Sequence, residues 1–161
     1  MRRRGLLGLA LSAVLAPVQA WSHAMPNSTV VAQLKAGGLD LVAYLPISEL
    51  KAATDDGPAA DAGEYVLRHV DVVGADGRTW RKQATAAEAD TRDGVAVMVV
   101  SVTFARPPDS HARAARLRYD AVTHRIASHF VLVYRREGDA LVPLARLQAP
   151  ATELPLPLPL P

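Results

Sequence analysis

The sequence predicts a mainly β fold, an antiparallel β-sandwich with Greek-key connections and one inserted helix. Three observations predict it. Apolar residues recur at every second position in seven or so short segments, the period that buries one face of a strand. Clusters of Gly, Pro and Asp separate those segments at short intervals, as turns between antiparallel strands require. One stretch, 62–72, carries the three- and four-residue apolar spacing of a helix. A small α+β fold with that helix packed on one sheet is the alternative.

Residues 1–20 stand apart from this pattern. Met1-Arg-Arg-Arg4 precedes the apolar run 5–16, and Pro17-Val-Gln-Ala20 closes it. These are the charged, apolar and small-residue regions of a secretory signal peptide. The run is shorter than the roughly 20 residues a membrane span needs. The chain is therefore read as periplasmic or secreted after cleavage, and not itself transmembrane. Once Arg2, Arg3 and Arg4 leave, the 18 basic residues fall to 15 against 16 acidic ones, a net charge of −1. That balance excludes a basic nucleic-acid footprint. With no cysteine, disulfides, thiolate metal sites and a lipid-anchor cysteine are excluded too. Residues 21–149 suit a single β-rich domain.

Ser28 to Leu34 alternates, with Val30, Ala32 and Leu34 on one side. Lys35-Ala-Gly-Gly38 reads as a hairpin turn into the return strand Leu39–Leu45, which Pro46 stops. Residues 47–53 have the length and composition of a short helix, and 54–60 read as loop. Asp61 and Glu64 have capping-box spacing, so a helix is expected from Ala62 to Val72, with Tyr65, Val66, His69, Val70 and Val73 as its apolar stripe. Asp76-Gly77 turns into a strand over 78–85, and 86–94 reads as polar loop. Val95 to Phe104 is the longest apolar strand, so it is placed centrally. Ala115, Leu117 and Tyr119 point inward from the next strand, while Arg116 and Arg118 point to water. Phe130, Leu132 and Tyr134 alternate with His129, Val131 and Val133, a strand expected to be covered on both faces. Residues 141–147 close the sheet, and Pro143 marks an edge. The Leu-Pro tail, 150–161, is expected to be separate, disordered or polyproline II, with docking to an aromatic groove as the sharper reading.

Several pieces together resemble a known family. They are His23-Ala-Met-Pro-Asn-Ser-Thr-Val30, Leu45-Pro-Ile-Ser-Glu-Leu50, Tyr65-Val-Leu-Arg-His-Val70, Asp76-Gly-Arg-Thr-Trp80, and Tyr119-Asp-Ala-Val-Thr-His124 with Ser128-His129. This resembles the N-terminal exported region of hydrogenase/urease accessory membrane proteins of the HupE/UreJ type, over most of 23–147. The resemblance implies an exported accessory domain beside a metal-handling membrane partner. The helical membrane half of such proteins is not expected here, since the chain runs into the Leu-Pro tail, so their transport activity does not carry over.

The densest set of ligand types is Asp120, His124 and His129 around one turn, suited to Zn, Ni or Cu. The competing reading makes Asp120 a turn-capping residue and His129 a satisfied interior histidine. His69 is expected as buried packing, meeting His129 if its helix covers the 126–134 strand. Cleavage after Ala20 would free Trp21-Ser22-His23, whose amine, two amides and imidazole make a square-planar site for Cu(II) or Ni(II), whereas cleavage after Ala24, which also fits the small-residue rule, would remove His23 with the signal. No nucleophile elbow, His-Glu-x-x-His helix or phosphate loop is present, so no enzyme is expected. A structural adaptor without metal, docking a membrane protein by a sheet edge or the tail, is the alternative function.

Overall fold

The computed structural model describes residues 27–54 and 61–158. The expected signal segment, His23 and most of the 54–60 loop lie outside the described residues. Alternating apolar residues build the first hairpin, in which β1 (Ser28–Lys35) pairs with β2 (Gly38–Pro46), Val30 opposite Ala43 and Ala32 opposite Leu41. Gly38 begins β2 because a Cβ there would strike the Phe104 carbonyl of the adjoining strand. The other elements are α1 (Ile47–Ala53), α2 (Ala62–Arg68), β3 (Val70–Gly74), β4 (Arg81–Arg92), β5 (Val95–Ala105), β6 (Ala114–Tyr119), β7 (Val131–Glu137), β8 (Ala140–Leu147) and β9 (Glu153–Pro157).

They form two sheets, one in the order β4-β5-β2-β1-β7-β8 and one in the order β3-β6-β9. Every pairing is antiparallel except β1 with β7. The inner faces share one apolar core. Leu41, Val102 and Val133 enter it from the larger sheet, and Val72, Leu117 and Leu156 from the smaller. The fold is thus mainly β and sandwich-like, as expected, with β5 inside its sheet and β8 at an edge.

Five expectations are corrected. The helix from Ala62 ends at Arg68, not Val72, because Val70-Asp-Val-Val is a β-branched alternating run that pairs with β6. Asp61 does cap it, its Oδ1 accepting from the Glu64 amide at 2.9 Å. With α1, the fold has two short helices among the described residues rather than one. Residues 86–92 are not loop. They continue β4 along β5, with one bulge between Ala84 and Ala86, and read as loop only because an edge strand tolerates polar residues on both faces.

The Leu-Pro segment is not separate either. Glu153–Pro157 pairs with β6, and Leu154, Leu156 and Leu158 are buried. The Leu158 amide donates to the Arg113 carbonyl, so by the two-residue period the leucine amides face β6 and the proline nitrogens face outward. Finally, β7 is covered on one face only. Val131 and Val133 are buried, whereas Leu132 and Tyr134 are half-buried on the outer face.

Candidate functional site

The β3–β6 pairing ends with Val70 opposite Tyr119. One step further, the Asp120 amide donates to the His69 carbonyl at 3.0 Å, which fixes those two residues side by side. His69 is there because α2 stops at Arg68 and His69 becomes its C-cap. The chain then turns back through 121–125, with the His124 amide on the Asp120 carbonyl at 3.0 Å. Val122 sits in this turn at φ +68°, a strained conformation for a β-branched residue. Its amide donates to Tyr65 Oη at 2.9 Å, tying the turn to α2.

Asp120 organises the cluster that results. Its Oδ1 lies 2.8 Å from His69 Nδ1, and its Oδ2 lies 3.2 Å from Arg118 Nη2. Its backbone carbonyl lies 3.2 Å from His124 Nδ1. The imidazoles of His69 and His124 stack, with centroids 4.0 Å apart and planes at 19°. The Tyr65 ring packs against His69 at 4.8 Å.

Electrostatics fix the protonation states. Burial pushes the Asp120 carboxyl up, but the hydrogen bonds from His69 and Arg118 outweigh it and hold its pKa below the ordinary carboxylate value. Burial also lowers the His69 pKa, and the pull of Asp120 only partly offsets this. The pair is therefore a neutral imidazole donating to a carboxylate. A carboxylate and a carbonyl only accept, so both Nδ1 atoms carry the proton in the neutral rings. Each Nε2 keeps its lone pair on the ring edge turned away from Asp120.

Of the sequence-derived ligand set, Asp120 and His124 come together here. His69 joins them, in the place expected of His129. The expectation was displaced because a continuous helix to Val72 would have carried His69 elsewhere, whereas reading Val70-Asp-Val-Val as a strand sets it beside Asp120. His129 lies two residues before β7 and is 1 % exposed. Its Nε2 accepts from the Ser28 amide at 3.2 Å and from Ser28 Oγ at 2.9 Å. Its Nδ1 faces Glu49 Oε2 at 3.6 Å, beyond hydrogen-bond reach. His129 therefore ties β1 to the segment entering β7, an interior histidine as the competing reading has it, but with its Nδ1 left without a hydrogen-bond partner rather than satisfied. The order Ser28–His129–Glu49 has the form of a nucleophile–base–acid relay, but Ser28 is fully buried and offers no access to substrate. The expected meeting of His69 with His129 does not occur, since the ring contacts of His69 are with Tyr65 and His124. His23 lies outside the described residues.

Among the described residues no three His, Cys, Asp or Glu converge as a complete metal-binding group. What the cluster offers is two imidazole nitrogens, each ring oriented from behind by Asp120. A groove of about 310 Å³ on the outer face of the larger sheet, lined by Val31, Tyr44, Val97 and Leu141, contains none of the candidate ligands among the described residues. Among the described residues no helix is long and apolar enough to cross a membrane. No protein-family model matches the chain, and no curated protein matches it.

Proposed function

We propose that this is an exported accessory domain that holds a transition-metal ion at His69 and His124 beside a metal-handling membrane partner. One observation carries the reading. Asp120 anchors two stacked imidazoles through Nδ1 and leaves both Nε2 lone pairs outward. A histidine whose far nitrogen donates to a carboxylate or carbonyl is the usual form of a metal-ligating histidine. The donor chemistry fits Zn(II), Ni(II) or Cu(II), for which imidazole is a preferred ligand. Two donors leave the remaining positions to water or to a ligand from the partner, which suits an ion held briefly and passed on. In this reading Asp120 acts as a positioning residue rather than a ligand. The lone pairs run side by side, so a shared ion requires the exposed His124 ring to tilt toward His69.

Metal titration of the purified exported chain tests this. One equivalent of Zn(II), Ni(II) or Cu(II) is expected to bind. His69→Ala and His124→Ala should each weaken uptake at least tenfold, and Asp120→Asn about 10- to 100-fold through lost orientation. His23→Ala separates any amino-terminal chelate from this site. Uptake no tighter than that of a lone surface histidine overturns the metal reading and leaves the structural adaptor.

A further inference from the structure

We propose that β4 is a pairing edge for a second copy of this chain, joining two six-stranded sheets antiparallel across a two-fold axis. The inference rests on the sheet edges and does not depend on the metal reading. Edge strands present unpaired amides and carbonyls, and proteins usually keep them short, place proline in them or cover them. Three of the four sheet edges are treated in this way. β8 carries Pro143, and β9 turns Pro155 and Pro157 outward. β3 is overlain by the chain that follows it, with the Gly74 amide on the Arg78 carbonyl and the Trp80 amide on the Val72 carbonyl. β4 is different. It is the longest described strand at 12 residues, it contains no proline, and most of its residues are exposed.

The charge order along β4 makes it complementary to itself in reverse. Its start is basic, with Arg81 and Lys82, and Glu88 and Asp90 follow in its second half, where Arg92 closes the strand with its Nε 3.1 Å from Asp90 Oδ2, an exposed pair that Arg81 of a second copy would join or replace. Lys82 is occupied on the inner face, where its Nζ lies 2.6 Å from Asp71. Arg81, Gln83, Ala86, Glu88 and Asp90 share the outer face, opposite Ala105, Thr103, Ser101, Val99 and Val97 of β5. When a second β4 is laid antiparallel with Ala86 on the axis, Arg81 stands opposite Asp90 and Gln83 opposite Glu88. Symmetry makes each pair twice. Ala84 then faces Ala87, so small side chains flank the axis. The Thr85 bulge of each copy falls beside the axis, leaving two regular arms, 81–84 against 87–90. Sliding the register by two residues in one direction puts Arg81 against Arg92, so like charges exclude that alternative.

Light scattering on the eluting exported chain, across a range of loading concentrations, is the test. The expected result is a mass that rises to twice that of the monomer. Arg81→Asp and Asp90→Arg should each raise the dimer dissociation constant at least tenfold, and the double variant should restore dimerisation, which also shows that each chain folds. A monomer at every concentration overturns the proposal. So does a dimer that Arg81→Asp leaves intact, or one that the double variant fails to restore.

Discussion

Ending the chain after Ala151 should unfold the domain. The segment lost contains β9 and the residue after it, and Leu154, Leu156 and Leu158 there are buried in the core shared by both sheets. Full burial of one such side chain contributes about 1.5–3 kcal/mol. Three together approach the whole net stability of a typical domain, about 5–15 kcal/mol. The loss also strips β6 of its partner from Ala114 to Arg118 and leaves Leu117 on a two-stranded ribbon. Near-UV circular dichroism of the truncated chain is expected to lack fixed aromatic signals at room temperature. The single change Leu156→Ala should cost about 2–5 kcal/mol in urea unfolding. A truncated chain that melts like its parent would return the Leu-Pro segment to the status of a tail.

The second large effect is expected at His129. Replacing it by Ala removes the acceptor of the buried Ser28 amide, a loss of about 1–3 kcal/mol, and leaves a cavity besides. His124→Ala, on an exposed side chain, should leave stability nearly unchanged. The pH profile separates the two further. Burial holds the His129 pKa below its ordinary 6.5. Between that lowered value and 6.5 the unfolded chain binds more protons than the native one, so stability falls as pH falls through this window. Above 6.5 the contribution is complete. His69 is shifted in the same direction, so His129→Ala should flatten the profile in part rather than abolish it. Urea midpoints at pH 5 and pH 7.5 read both effects.

The strands that alternate cleanly were legible in the sequence. Leu39, Leu41, Ala43 and Leu45 face the core, and Ala115, Leu117 and Tyr119 face inward between outward arginines. Legibility failed where two periods overlapped. Tyr65, Val66, His69, Val70 and Val73 fit a helical stripe, yet tertiary pairing with β6 claims Val70–Gly74 for a strand. It failed again where one edge of a strand meets water. Proline cannot serve a central strand, but in β9 only the leucine amides need partners, so the Leu-Pro repeat satisfies an edge. The same tolerance hid the second half of β4. For the site, Asp120 and His124 were visible because they share a turn. His69 was not, because its place depends on a helix ending one residue earlier and on a pairing 51 residues away in sequence.

Whether Asp120 holds two imidazoles with Nε2 free for metal is tested most directly by ¹⁵N imidazole spectra of the purified chain before and after Zn(II). The metal-free protein should show protonated Nδ1 and bare Nε2 on both His69 and His124. One equivalent of Zn(II) should then shift those two Nε2 signals together and leave His129 unmoved. Protons on Nε2 in the metal-free state, or a zinc response confined to other histidines, would contradict it.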